Sequence, residues 1–226
     1  MHENNLQSEF LDHLYAAAVG ADDWKNVLAT YTKLVGGHAG LMNFYDLATG
    51  RNRTVEWHNY DDKHIAASDT YWQMHEPWSA AGLQQVARTP EMLMTGFVSR
   101  GSSLVPQREL LASEWYNEFG ADNLVQDCLG TVGVTGGRMG LALIANTGGR
   151  PPVSYSTEQM KIAARVQPDV QRAINLHVNA AGTNGVMTVA PRYAHLKLPI
   201  LTMAERRVLS SNSAAQEELE RGRLIR

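Results

Sequence analysis

Cysteine is almost absent from this sequence: Cys128 stands alone among 226 residues. A single thiol excludes an internal disulfide framework and any thiolate cluster for zinc, and it reads as a small buried hydrophobe rather than a nucleophile. No apolar run approaches the ~18 residues that a membrane-spanning helix requires, so no span is expected. The N-terminus, Met1-His2-Glu3-Asn4-Asn5, has no basic segment leading into an apolar stretch, so no secretory signal is expected and the location reads as cytoplasmic. An excess of positive charge is missing as well: 20 Lys and Arg stand against 23 Asp and Glu, a net charge of −3. That balance excludes a general nucleic-acid surface of clustered Lys and Arg and leaves room only for a local basic patch.

Catalytic and metal signatures are missing too. The eight histidines include no i, i+4 pair that would set two ligands on one helix face, and no H-E-x-x-H occurs. Gly136-Gly137 and Gly148-Gly149 lack the spacing and the following Lys-Ser or Lys-Thr of a phosphate-binding loop and read as turns. No nucleophile-elbow motif accompanies a serine. The sequence thus points away from an enzyme, a metal site and a bound cofactor.

What is present is a globular chain, 44% hydrophobic and 19% charged, long enough for one sizeable domain and a tail. Leu6, Phe10 and Leu14 recur every fourth residue, which puts an apolar stripe on a helix ending near Gly20. Asp22 is a candidate N-cap for a second helix carrying Trp24, Val27, Leu28, Tyr31, Leu34 and Val35. A hairpin is expected over 38–46 and 53–58, with its turn at Gly50. Asp61 can cap a third helix that finishes near Glu76, because Pro77 disfavours helical geometry in the residue before it. Pro106 suits the first turn of a fourth, with Leu110, Leu111, Trp115 and Phe119 on one face. A second hairpin follows over 124–134 and 139–146. Ser156 with Gln159 has the form of a capping box opening a long helix towards Ala181 that Pro168 should bend. Residues 182–199, with Gly182, Gly185, Pro191 and Pro199, read as a linker. The order predicts an α+β fold, an antiparallel sheet flanked by helices in the PAS or GAF manner, over 1–181.

Several stretches resemble a known family. They are Phe10-Leu11-Asp12-His13-Leu14-Tyr15-Ala16-Ala17-Ala18 with Asp23-Trp24, Tyr45-Asp46-Leu47-Ala48-Thr49-Gly50-Arg51, Glu76-Pro77-Trp78, residues 104–111 with 113–119, and Gln167-Pro168-Asp169-Val170-Gln171-Arg172-Ala173. In this order and spacing they are similar to the N-terminal sensory regions of LuxR-type transcription regulators, whose autoinducer-binding folds are GAF-like. The resemblance implies a small-molecule effector, a homodimer, and DNA as the partner of intact relatives, with no membrane partner. Leu201-Thr202-Met203-Ala204-Glu205 looks like the start of the LuxR-type helix-turn-helix, and Thr202 with Glu205 forms a capping box, so a short helical remnant is expected over 200–226. The family pattern then breaks off. Ser210-Ser211-Asn212-Ser213-Ala214-Ala215 replaces the turn and the basic recognition helix, and from Ala204 onward five Arg offset four Glu. DNA binding by this chain alone is therefore not expected.

Four of the five tryptophans, Trp57, Trp72, Trp78 and Trp115, fall where the sheet should meet the helices. Aromatic walls with a few polar groups suit a small apolar ligand. The candidate pocket residues are Met42, Phe44, Trp57, Tyr71, Trp72, Trp78, Trp115, Tyr116 and Leu129, with Asp69, Asn43 and Thr131 as polar anchors. The same residues at the same spacing also describe plain core. Two functions follow: a ligand-sensing domain of a LuxR-type regulator, or a module that dimerises through the helices Leu6 to Tyr15 and Met160 to Ile174 and sequesters a complete regulator.

Overall fold

The computed structural model describes residues 2–46, 51–72, 75–121, 125–136, 139–148, 153–184, 201–204, 207–211 and 221. The chain divides into two compact units, Met1–Leu176 and His177–Arg226.

The first unit opens with α1 (His2–Ala18) and α2 (Trp24–Leu34). The N-cap of α2 is Asp23, whose carboxylate accepts from Lys25 N–H. Asp22, the residue expected there, instead pairs with His13 and tethers the two helices. Strands β1 (Ala39–Asp46) and β2 (Arg51–His58) form the first hairpin, with Gly50 outside the described residues. Asp61 caps α3 (Asp62–Ala67) by accepting from His64 N–H, and a π-turn, Ser68–Trp72, continues it.

Beyond this point the structure has elements that the sequence left unassigned. Pro77 begins a helix, α4 (Pro77–Arg88), with Glu76 at its N-cap. Pro disfavours a helical residue before it but is favoured at the first helical position, and here the second effect starts a new helix. A short α5 (Met92–Thr95) leads to β3 (Phe97–Arg100) and α6 (Gly101–Leu104). Pro106 caps α7 (Gln107–Ala112), and Trp115 and Phe119 belong to a separate π-turn around Tyr116–Gly120. Then come β4 (Cys128–Thr135), β5 (Met139–Asn146) and α8 (Thr157–Asn184), which runs through Pro168. Its capping box is reciprocal: Ser156 N–H donates to Gln159 Oε1 at 2.8 Å and Gln159 N–H to Ser156 Oγ at 3.3 Å.

The sheet order is β2-β1-β5-β4-β3, antiparallel throughout. This is the α+β architecture the sequence predicts, with a fifth strand added at the edge. One sheet face packs on α1, α2 and α8, where Phe10, Leu14, Leu28, Tyr31, Leu129, Leu143, Val166 and Val170 are fully buried. Two glycines on this face let the helices close in. A Cβ on Gly40 would lie 2.3 Å from Thr32 Oγ1, and one on Gly133 would lie 2.4 Å from Ile174 Cδ1. The other face meets α4, α7 and the second π-turn, with Trp78, Leu110, Trp115, Phe119 and Val125 at the centre.

In the second unit, Leu201–Ala204 (β6) pairs antiparallel with Arg207–Ser211 (β7) where the capping box pointed to a helix. The pairing outweighs the cap: Thr202 and Val208 are β-branched and favour an extended backbone. Glu205 and residues 185–200, most of the expected linker, lie outside the described residues, as does 212–220.

Asp127 ties the first unit together. It is fully buried, and its carboxylate accepts from Ser102 N–H (2.7 Å), Ser102 Oγ–H (2.9 Å), Cys128 N–H (3.0 Å) and Tyr155 N–H (3.1 Å). Asp127→Ala leaves those buried donors unsatisfied and should destabilise the fold by about 3 kcal/mol. Urea denaturation should show a lower midpoint at unchanged m-value.

Candidate functional site

A cavity of about 140 Å³ lies between the sheet and the α4 side of the molecule. Strand alternation decides which residues reach it. From β1 these are Leu41, Asn43 and Tyr45; from β4, Cys128, Gly130 and Val132; from β5, Ala142, Ile144 and Asn146. Phe97 and Ser99 of β3 and Thr54 of β2 complete the floor.

The roof is aromatic. Trp78 and Trp115 meet edge to face with centroids 5.6 Å apart, and Trp115 lies 5.9 Å from Phe119. His64 is sandwiched between Phe119 (4.0 Å) and Tyr60 (5.0 Å), both nearly parallel to it. Leu83 and Val86 of α4 and Leu104 of α6 close the apolar lining. Tyr60 Oη accepts from Asn146 Nδ2 at 2.8 Å, which pins the roof to β5.

Of the residues proposed from sequence, the structure brings Trp78, Trp115 and Asn43 to the cavity. Met42 and Phe44, by the alternation along β1, face the α1–α2–α8 core, as do Leu129 and Thr131 of β4. Tyr31 Oη bonds Thr131 Oγ1 at 2.7 Å there and also donates to the Leu129 carbonyl at 3.3 Å. Trp72 stacks behind the roof on Phe119 at 5.7 Å, and Tyr116 Oη accepts from Gln126 Nε2 at 3.0 Å, one layer out. Trp57 sits on β2 with its indole N–H donating to Asp62. Tyr71 is 46% exposed, against His75 and Trp72 and donating to Glu114. The backbone of Asp69 is in the first π-turn, and its side chain lies outside the described residues.

Sequence reasoning passed over Tyr45, Tyr60, His64, Phe119 and Glu76. Only Glu76 carried a usable signal, as the residue before a helix-initiating proline. At the start of α4 it faces the cavity and accepts from the Ser79 hydroxyl. Burial pushes its carboxyl up from the usual 4.5, against hydrogen bonds from Ser79 that favour the ionised form. Burial also pushes the Tyr45 phenol up to about 12, with Glu76 contributing, and raises Tyr60 and Cys128 likewise. Among the described residues, no Lys or Arg lines the cavity. Among the described residues, no group of three or more His, Cys, Asp or Glu comes together to hold a metal. No described helix is long and apolar enough to cross a membrane.

The Glu76 shift has a sign. The folded carboxyl holds its proton at pH values where the unfolded one has lost it, so folding takes up a proton in that window. The stabilisation is complete below 4.5 and is lost as pH rises through the raised folded value. Glu76→Gln, neutral throughout, should flatten this decline in denaturation midpoints taken over about pH 4 to 8.

No family model matches this sequence, and no curated protein matches it. Among solved structures, the crystal structure of the VqsR LBD domain from Pseudomonas aeruginosa is similar, at 15% identity and a TM-score of 0.56. The match covers 78% of this chain and 96% of that one, and it is a likeness of fold.

Proposed function

We propose that this chain is the small-molecule-sensing domain of a LuxR-type transcription regulator. The observation that carries the reading is the cavity, with aromatic walls and a few inward polar groups, set between sheet and helices as small-ligand sites commonly are. The fold shared with a domain titled LBD supports it, as do the LuxR-like stretches in the first unit. In this reading the effector favours one arrangement of the α3–α7 roof over another, and that difference in affinity is what reaches a dimer partner and DNA. DNA contact in such a regulator belongs to a recognition helix, whereas the described part of 201–211 is a hairpin.

The sequestering module is less well supported. The helix faces it relies on, Phe10 and Leu14 on α1 and Ala163, Val166, Val170 and Ala173 on α8, are buried in the core of the same chain.

The test is native mass spectrometry of the purified chain, with extraction of whatever is bound, on wild type and Gly130→Val. Gly130 lines the cavity, and a Cβ there would meet only the Ser99 carbonyl oxygen, at 3.8 Å. The Cβ of a valine has room there, its methyls reduce the space in the cavity, and valine suits a strand. A stoichiometric compound in wild type and its absence from an equally or more stable variant are expected. At a hundredfold excess over Kd that compound should stabilise wild type by about 2.7 kcal/mol. An empty wild type whose melting temperature no candidate effector raises would sink the sensor reading.

A further inference from the structure

On the sensor reading, the cavity also describes its occupant: we propose a compact, uncharged, single-ring molecule that donates one hydrogen bond, received by Asn43 Oδ1.

Asn43 is 6% exposed, and its Oδ1 is buried with no hydrogen-bond partner. The residue stands on β1, paired on one side with β2 and on the other with β5, so its backbone cannot shift to bring that oxygen to water. Its side-chain amide hydrogen-bonds the Tyr45 hydroxyl, leaving Oδ1 as the amide atom without a partner. A buried acceptor left bare is costly, and a ligand N–H or O–H recovers that cost on binding. Trp78 Nε1, a donor, is likewise buried without a partner, beside Gly101. Asn43 Oδ1 asks the ligand for a donor.

Charge is selected against from both sides. An anion would find no Lys or Arg among the described residues of the lining. A cation would find Glu76, whose ionised form burial disfavours. Size and shape narrow the class further. At about 140 Å³ the space resembles the ~150 Å³ apolar cavity that holds benzene, which suits a compact molecule. Trp78, Trp115 and Phe119 present aromatic surfaces that pack best on a flat ring.

A matched series separates these terms: phenol (neutral donor), toluene (no donor), benzylammonium (cation) and benzoate (anion), titrated into the full chain and followed by calorimetry. Phenol and toluene should bind, and the two ions should bind more weakly than either. The phenol-to-toluene preference should exceed that of Asn43→Leu by about tenfold, the factor that one hydrogen bond of this kind supplies. Because Asn43→Leu also severs the bond to Tyr45, Tyr45→Phe serves as the control: it loses that bond, keeps Oδ1 and should keep the preference. Gly130→Val should abolish binding of both neutral probes.

An unchanged preference in Asn43→Leu, tightest binding by benzylammonium, or no binding by any of the four overturns the assignment. Recovery of a native effector alongside such a result would leave the sensor reading standing. An empty native chain would remove that reading as well.

Discussion

A buried carboxylate that four hydrogen-bond donors converge on holds this fold in register. Asp127 stands just before β4, and its four donors come from the start of α6, from β4 itself and from the approach to α8. Its backbone carbonyl also accepts Thr147 N–H at 2.9 Å, binding the exit of β5 to the same point. Desolvating a charge is tolerated only when hydrogen bonds replace its water, and here they arrive from segments that sequence separation would otherwise leave loosely related. The edge strand β3, the central strands and the entry to the long helix are thereby set against one another. The depth of the cavity follows from that placement, because β3 and β4 supply part of its floor and α6 part of its roof.

The sheet does two jobs with its two faces. Against α1, α2 and α8 it is packed to contact, and small residues at Gly40 and Gly133 admit the helices where any side chain would collide. Against α4 and the aromatic roof it is not filled. The unfilled side holds the polar groups, Asn43, Tyr45, Asn146 and Glu76, while the opposite face holds few, such as Thr131, and satisfies Thr131 internally through Tyr31. Packing is thus complete on one face of the sheet and leaves open volume on the other.

Much of the fold could be read in the sequence because local signals were strong. The helical period of α1 and α2, the Asp61 cap, the Ser156–Gln159 box and the two hairpins all rest on interactions within a few residues. The site was far less legible, for a reason particular to sheets buried on both faces. Strands such as β1 and β4 carry apolar residues on both parities and so little contrast to say which parity faces the cavity, and Met42 and Phe44 are as eligible as Leu41 and Tyr45. The tryptophans were identified as a group, but only tertiary packing separates Trp78 and Trp115 in the roof from Trp72 behind it and Trp57 on β2. At Glu76 and Pro77 the failure was different: one proline supports both a helix end before it and a helix start at it, and only the second meaning revealed α4.

Gly130 differs in kind from the glycines across the sheet. Gly40 and Gly133 are held by collision, whereas at 130 no neighbour within 3.8 Å forbids a side chain. The volume of the chamber is therefore set at a position where the scaffold is indifferent to the choice. Alanine, serine or valine there would trim the chamber by one, two or three heavy atoms. Chamber size is thus adjustable at a position that neither strand pairing nor helix packing holds fixed, separate from the residues that keep the chain folded.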